Sequence, residues 1–234
     1  LLRHNTGTSR TPEEIQVLLS DRFQLCYQNL QALVETYREQ TGNTSISLQD
    51  IPAFPFQDAQ EVLADLQQRI QTDFPPLDAL TKTLPTCRTK AVAESMEEFT
   101  SPAFYLTPPI DDMGDNVIYV NNASTSPGLE LYTTLAHEGY PGHLYQTVYS
   151  QLYENSRTKN PVRSALVEGW AYYVENISYG YASDVLLANG ASNITPLLVD
   201  IACLERNLQV NLYCLLDLSI HYYGATRQDI YRSL

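Results

Sequence analysis

The stretch Leu135-Ala136-His137-Glu138-Gly139-Tyr140-Pro141-Gly142-His143 decides the reading of this chain. It holds two of the four histidines, six positions apart, and the first is followed directly by a glutamate. On a helix, two histidines share a metal ion when they are four residues apart, because i and i+4 stand roughly 40° apart around the axis and about 6 Å along it. A spacing of six puts the rings about 120° apart and about 9 Å along the axis, too far for one ion. Pro141 and Gly142 offer a way round. Proline donates no N–H and its ring crowds the carbonyl four residues back, here that of His137, while glycine tolerates backbone angles that other residues avoid. A distorted helix around Pro141, with a bulge or a missing helical hydrogen bond between Gly139 and His143, is therefore expected to return His143 beneath His137. The rival reading has a core histidine at 137 and a helix end that leaves His143 beyond it.

Glu168 favours the metal reading. It lies in Val167-Glu168-Gly169-Trp170-Ala171, on what reads as the next helix, and a short connection makes consecutive helices antiparallel neighbours. That can set Glu168 opposite the histidines as a third ligand. Glu175 follows seven residues later at nearly the same angular position, so a polar stripe crosses an otherwise apolar and aromatic helix. Buried carboxylates need partners, and a metal site supplies them.

Outward from this centre the pattern is mostly helical. Thr11-Pro12-Glu13-Glu14 reads as an N-cap, a proline at the first position and acid in the first turn of a long helix to about Gln40, stopped by Gly42. A second helix is expected from Asp58 to Phe74. Ala91-Val92-Ala93, Ala103 to Leu106 and Asn116 to Val120 read as short strands, the last two forming a hairpin around the turn Asp111-Asp112-Met113-Gly114-Asp115. Helices are then expected from Ser126-Pro127 to Tyr153, from Asn160-Pro161 to Tyr181 and from Thr195-Pro196 to Tyr223, with a fourth beginning near Thr226.

The composition is that of a globular chain of 234 residues with a formal net charge of −13. Only Lys82, Lys90 and Lys159 are lysines, and no basic cluster exists, so nucleic acid and anionic membrane surfaces are poor partners. Apolar runs are interrupted well short of the ~20 residues of a membrane-spanning helix. Cys26, Cys87, Cys203 and Cys214 lack a C-x-x-C spacing and read as free thiols. No G-x-S-x-G, Walker A or G-x-G-x-x-G motif is present.

The run His137-Glu138-Gly139-Tyr140-Pro141-Gly142-His143 with Gln146, then Glu168-Gly169-Trp170-Ala171-Tyr172 and Glu175, resembles the DUF885 family of bacterial proteins, grouped with gluzincin-like metallopeptidases. Tyr119-Val120-Asn121 and Asp217 to His221 match more weakly. The resemblance spans roughly residues 88–234, and family members are typically more than twice as long as this chain, so a central fragment is expected. It implies zinc as cofactor, with His137, His143 and Glu168 as ligands, Glu175 behind them and Glu138 as the general base acting on a metal-activated water. It implies a peptide substrate held by edge pairing along Ile118 to Asn121, with Tyr119, Asn121 and Tyr172 in contact. His221, or one of Tyr140, Tyr172 and Tyr222, would stabilise the oxyanion. A secreted or cell-envelope location fits the same kinship, although no targeting address can be read.

The expected fold is α+β and mainly helical, zincin-like, with a small sheet beside the active-site helix. Residues 1–85 would form an N-terminal helical segment and 86–234 a catalytic region truncated at its C-terminus. The expected function is zinc-dependent peptide hydrolysis. The alternative is a non-catalytic or degenerate relative in which the same polar cluster is an internal hydrogen-bond network and the protein is a binding or structural module.

Overall fold

The computed structural model describes residues 2–77, 85–109, 112–153 and 164–233. Eight helices and three strands appear among them: α1 Leu2–Thr6, α2 Pro12–Thr41, α3 Ala59–Asp73, β1 Thr86–Ala91, β2 Ala103–Leu106, β3 Asp115–Val120, α4 Leu129–Glu138, α5 His143–Tyr153, α6 Ser164–Ala188, α7 Thr195–His221 and α8 Arg227–Ser233. The fold is α+β and mainly helical. Among the described residues no helix is long and apolar enough to cross a membrane.

The chain forms two compact units, and they do not follow a single cut near residue 86. One unit joins residues 8–52 to 192–234, because α2 and α7, far apart in sequence, pack along each other. Thr11 caps α2 through a reciprocal box: the Glu14 amide donates to Thr11 Oγ1 at 3.2 Å and the Thr11 amide donates to Glu14 Oε2 at 2.8 Å. Gly42 ends the helix in the left-handed region at φ 72°, where a side chain is strained. Tyr37, Leu198 and Ile201 form this unit's buried core.

The second unit, mainly residues 53–191, carries the sheet, in the order β1-β3-β2. β3 pairs in parallel with β1, from Thr86↔Asp115 to Ala91↔Val120, and antiparallel with β2, from Ala103↔Val120 to Leu106↔Val117. The hairpin is as expected. The first strand instead begins at Thr86, five residues before the apolar run that suggested it. Its polar residues pair well because it is an edge strand with a largely solvated face. Its outer edge is closed by Gln60 of α3, whose Nε2 donates to Cys87 O at 2.9 Å and whose Oε1 accepts from the Thr89 amide at 3.0 Å. Val62, Leu63 and Leu66 of α3, Tyr132 and Leu135 of α4, Leu144 and Val148 of α5 and Ala182 of α6 bury their side chains with Ile118 and Val120 of the sheet.

Two helix expectations change. The single helix over 126–153 is two helices, α4 and α5, broken at residues 139–142. The start at Asn160-Pro161 and the turn residue Asp111 lie outside the described residues; α6 is described from Ser164 and runs on to Ala188.

All four cysteines are free thiols. Burial, reinforced by the Asp115 charge, pushes the Cys87 thiol up to about 12. At pH 8 its thiolate fraction is then roughly a thousandfold below that of an ordinary thiol. Iodoacetamide mapping by mass spectrometry is expected to find Cys87 nearly unlabelled in the folded protein and readily labelled in urea. Equal labelling in both states would contradict this packing.

Candidate metal centre

α4 ends at Glu138, and the backbone that follows turns back against the end of its own helix. Gly139 donates its amide to Leu135 O at 2.8 Å. A Cβ there would lie 2.6 Å from Leu63 Cδ2 and 2.9 Å from Leu135 O, so the turn leaves no room for a side chain. Tyr140 is 1% exposed, donates its hydroxyl to Pro85 O at 3.3 Å and accepts from Gln67 Nε2 at 3.4 Å. The Tyr140–Pro141 peptide is cis. Gly142 lies so close to α4 that a Cβ would be 1.7 Å from His137 O and 2.4 Å from Ala136 O. α5 then starts at His143, with Tyr145 N donating to Gly139 O at 3.2 Å and Gln146 N to Gly142 O at 2.9 Å.

The six-residue spacing is thus accommodated by stopping one helix and starting another, in place of the expected bulge in a continuous helix. Gly142 serves by its missing side chain, since its φ is not in the left-handed region. The result returns His143 to His137, with ring centroids 4.8 Å apart and planes at 87°.

α6 presents Glu168 to both rings. Its Oε2 lies 3.7 Å from His137 Nε2 and its Oε1 3.7 Å from His143 Nε2. Such separations exceed a hydrogen bond and approach the roughly 3.4 Å edge of a tetrahedron with ~2.1 Å metal–ligand distances. Glu175, two turns along α6, is 6% exposed and sits with Oε2 3.0 Å from His137 Nδ1, an arrangement that leaves Nε2 of that ring directed at Glu168. Nδ1 of His143 alone among buried side-chain nitrogens and oxygens of the described residues has no hydrogen-bond partner. Two imidazoles and a carboxylate, backed by a buried carboxylate on one ring, suit zinc.

Potential ligand atoms of His137, Glu138 and His143 also lie within 4.8 Å of one another. Glu138 is nevertheless engaged elsewhere, since its Oε2 accepts the Tyr105 amide of β2 at 2.8 Å, whereas Glu168 faces both Nε2 atoms and is 64% exposed. Burial pulls the His137 pKa down, but the Glu175 bond and the charges of Glu138, Glu175 and Glu168 together outweigh it and raise it. Burial and the neighbouring His137 lower that of His143, favouring a neutral ring. Burial raises that of Glu138, against the Tyr105 amide and His137.

The other expected site residues are placed differently. β3 is hydrogen-bonded on both sides, so Ile118 to Asn121 has no free edge for a peptide. Tyr119 stacks on Phe104 at 5.1 Å. Asn121 is fully buried and ties loops together, its Nδ2 donating to Glu97 O at 2.8 Å and its Oδ1 accepting from Ala123 N at 3.2 Å. The edge on the Glu138 side is β2, through Tyr105, which the sequence did not flag. Tyr172 is half-buried, one turn beyond Glu168 on α6. His221 and Tyr222 belong to the other unit, where His221 Nε2 is 3.6 Å from Asp217 Oδ1 and the Tyr222 hydroxyl donates to Glu13 Oε1 at 2.9 Å. A cavity of about 450 Å³ lined by Gln67, Ile70, Leu77 and Tyr140 contains none of the histidine–glutamate cluster.

The chain belongs to the family described as bacterial proteins of unknown function (DUF885), whose model matches residues 1–234 and so extends beyond the motif region to the whole sequence. No curated protein matches it. Among solved structures it is similar to one described as "the putative lipoprotein from Colwellia psychrerythraea", with a TM-score of 0.60 and 18% identity over 97% of this chain. The chain spans 40% of the length of that protein. At that identity the likeness speaks for the fold.

Proposed function

We propose that this chain carries the metal centre of a zinc-dependent peptidase with a zincin-like arrangement. The observation that carries the reading is the convergence of His137, His143 and Glu168, from three helices, beside the carboxylate of Glu138. Zinc held by those three side chains would supply a Lewis acid for a substrate carbonyl and would acidify water. Glu138 is the base: Tyr105 N–H holds Oε2, and Oε1 takes a proton from water and passes it to the leaving amine. Glu175 keeps the proton of His137 on Nδ1, freeing Nε2 to bind. An extended peptide lies beside Glu138 along the outer side of β2, where the carboxylate already takes the Tyr105 amide. A cell-envelope or secreted location is supported by the description of the structural neighbour as a lipoprotein.

Metal content is the test. Protein stripped with a chelator and dialysed against zinc is expected to retain one equivalent by elemental analysis, and His143→Ala is expected to lose at least a hundredfold in affinity. A parent protein without zinc, or a variant that binds as tightly as the parent, would favour the rival reading of a hydrogen-bonded polar network.

A further inference from the structure

Pro141 leaves its carbonyl outside the helical ladder of α5, because the Tyr145 amide, four residues on, donates to Gly139 O instead. A carbonyl in such a turn needs a partner, and it has one: Nε1 of Trp170, at 2.8 Å. Trp170 is the only tryptophan of the chain. Its indole is fixed edge-on to Phe74, with ring centroids 6.1 Å apart, and lies nearly parallel to Tyr145 at 6.5 Å. Two residues before it on the same helix is Glu168, which faces both histidines.

We propose that Trp170 is a positioning residue of the metal centre: its indole N–H holds the Pro141 carbonyl and so sets His143 opposite His137. This rests on the metal reading above. The geometry has a specific economy, because one rigid helix both presents the third ligand and grips the loop that carries the second. α6 therefore registers Glu168 and His143 against each other. Without the N–H the 139–142 turn keeps its packing but loses the bond that fixes its final peptide, and the ligand set loosens.

The experiment uses the single tryptophan twice. In the parent protein, the one indole N–H signal in a ¹H–¹⁵N spectrum is expected to be downfield, slow to exchange with solvent, and shifted on adding zinc. Replacing Trp170 by benzothienylalanine keeps the bicyclic shape and substitutes sulfur for N–H; Trp170→Phe removes the donor with a smaller ring. Both are expected to weaken zinc binding about 10- to 100-fold, with the apo circular dichroism of the sulfur variant unchanged. An indole proton that exchanges at the solvent rate overturns the proposal without any metal being added. A sulfur variant that binds zinc as tightly as the parent assigns Trp170 to packing alone and leaves the metal centre standing. A parent that shows the protected indole but takes up no zinc overturns the metal reading and this role with it.

Discussion

Glu138→Gln is expected to keep zinc and lose turnover, by about 10²- to 10⁴-fold in kcat. The amide oxygen can still accept the Tyr105 N–H that now holds Oε2 at 2.8 Å, so the side chain has reason to stay where it is. What it cannot do is carry a proton between water and the leaving amine. His137, His143 and Glu168 are untouched, so stoichiometry by elemental analysis should equal that of the parent. Measured on the natural protein with a mixed peptide library, the pair of readouts separates a base from a ligand. Parental hydrolysis by the glutamine variant would remove Glu138 from the mechanism, while simultaneous loss of zinc would make it a ligand.

Gly142→Ala should damage the same centre through packing alone. A methyl at 142 would lie 1.7 Å from a backbone oxygen of α4, and neither the helix end nor the loop can yield by a side-chain rotation. Overpacking a buried site commonly costs 1–3 kcal/mol and more when backbone must move; here about 3 kcal/mol or more is expected, lowering Tm by roughly 6–12 °C. Zinc binding should fall with it, since relief of the clash moves the peptide directly before His143. Gly169→Ala is the control. Its Cβ would meet nothing within 4 Å, and in the interior of α6 the change is expected to stabilise by about 0.8–1 kcal/mol. Equal melting temperatures for the two variants would mean that the 139–142 turn is not packed as described.

Much of this was readable in the residues. The bounds of α2 follow from Thr11 and Glu14 at one end and Gly42 at the other, because capping is local chemistry. The pairing of β2 with β3 follows from two apolar runs around a turn. The order of helices made a meeting of His137, His143 and Glu168 conceivable, but what closes it is a helix break where a bulge in one helix was expected. What failed depends on contacts between distant segments. β1 is polar and becomes a strand only because β3 offers it a ladder, so its own residues advertise little. Gly142 drew attention as a permissive backbone, whereas the constraint on it is the proximity of His137 O, which exists only once the turn has closed. Strand order is equally nonlocal: nothing in residues 118–121 says that they will lie in the middle of the sheet, leaving Tyr105 to meet Glu138.

The amide of Gln60 gives the sheet a direction of growth. By occupying the backbone of Cys87 and Thr89, it imitates a fourth strand on one border and closes that border to strangers. The opposite border is β2, where Glu138 takes the outward amide of Tyr105. On the proposed reading, two copies paired along β2 would compete with Glu138 for the Tyr105 amide, so self-association by this route would disturb the proposed base.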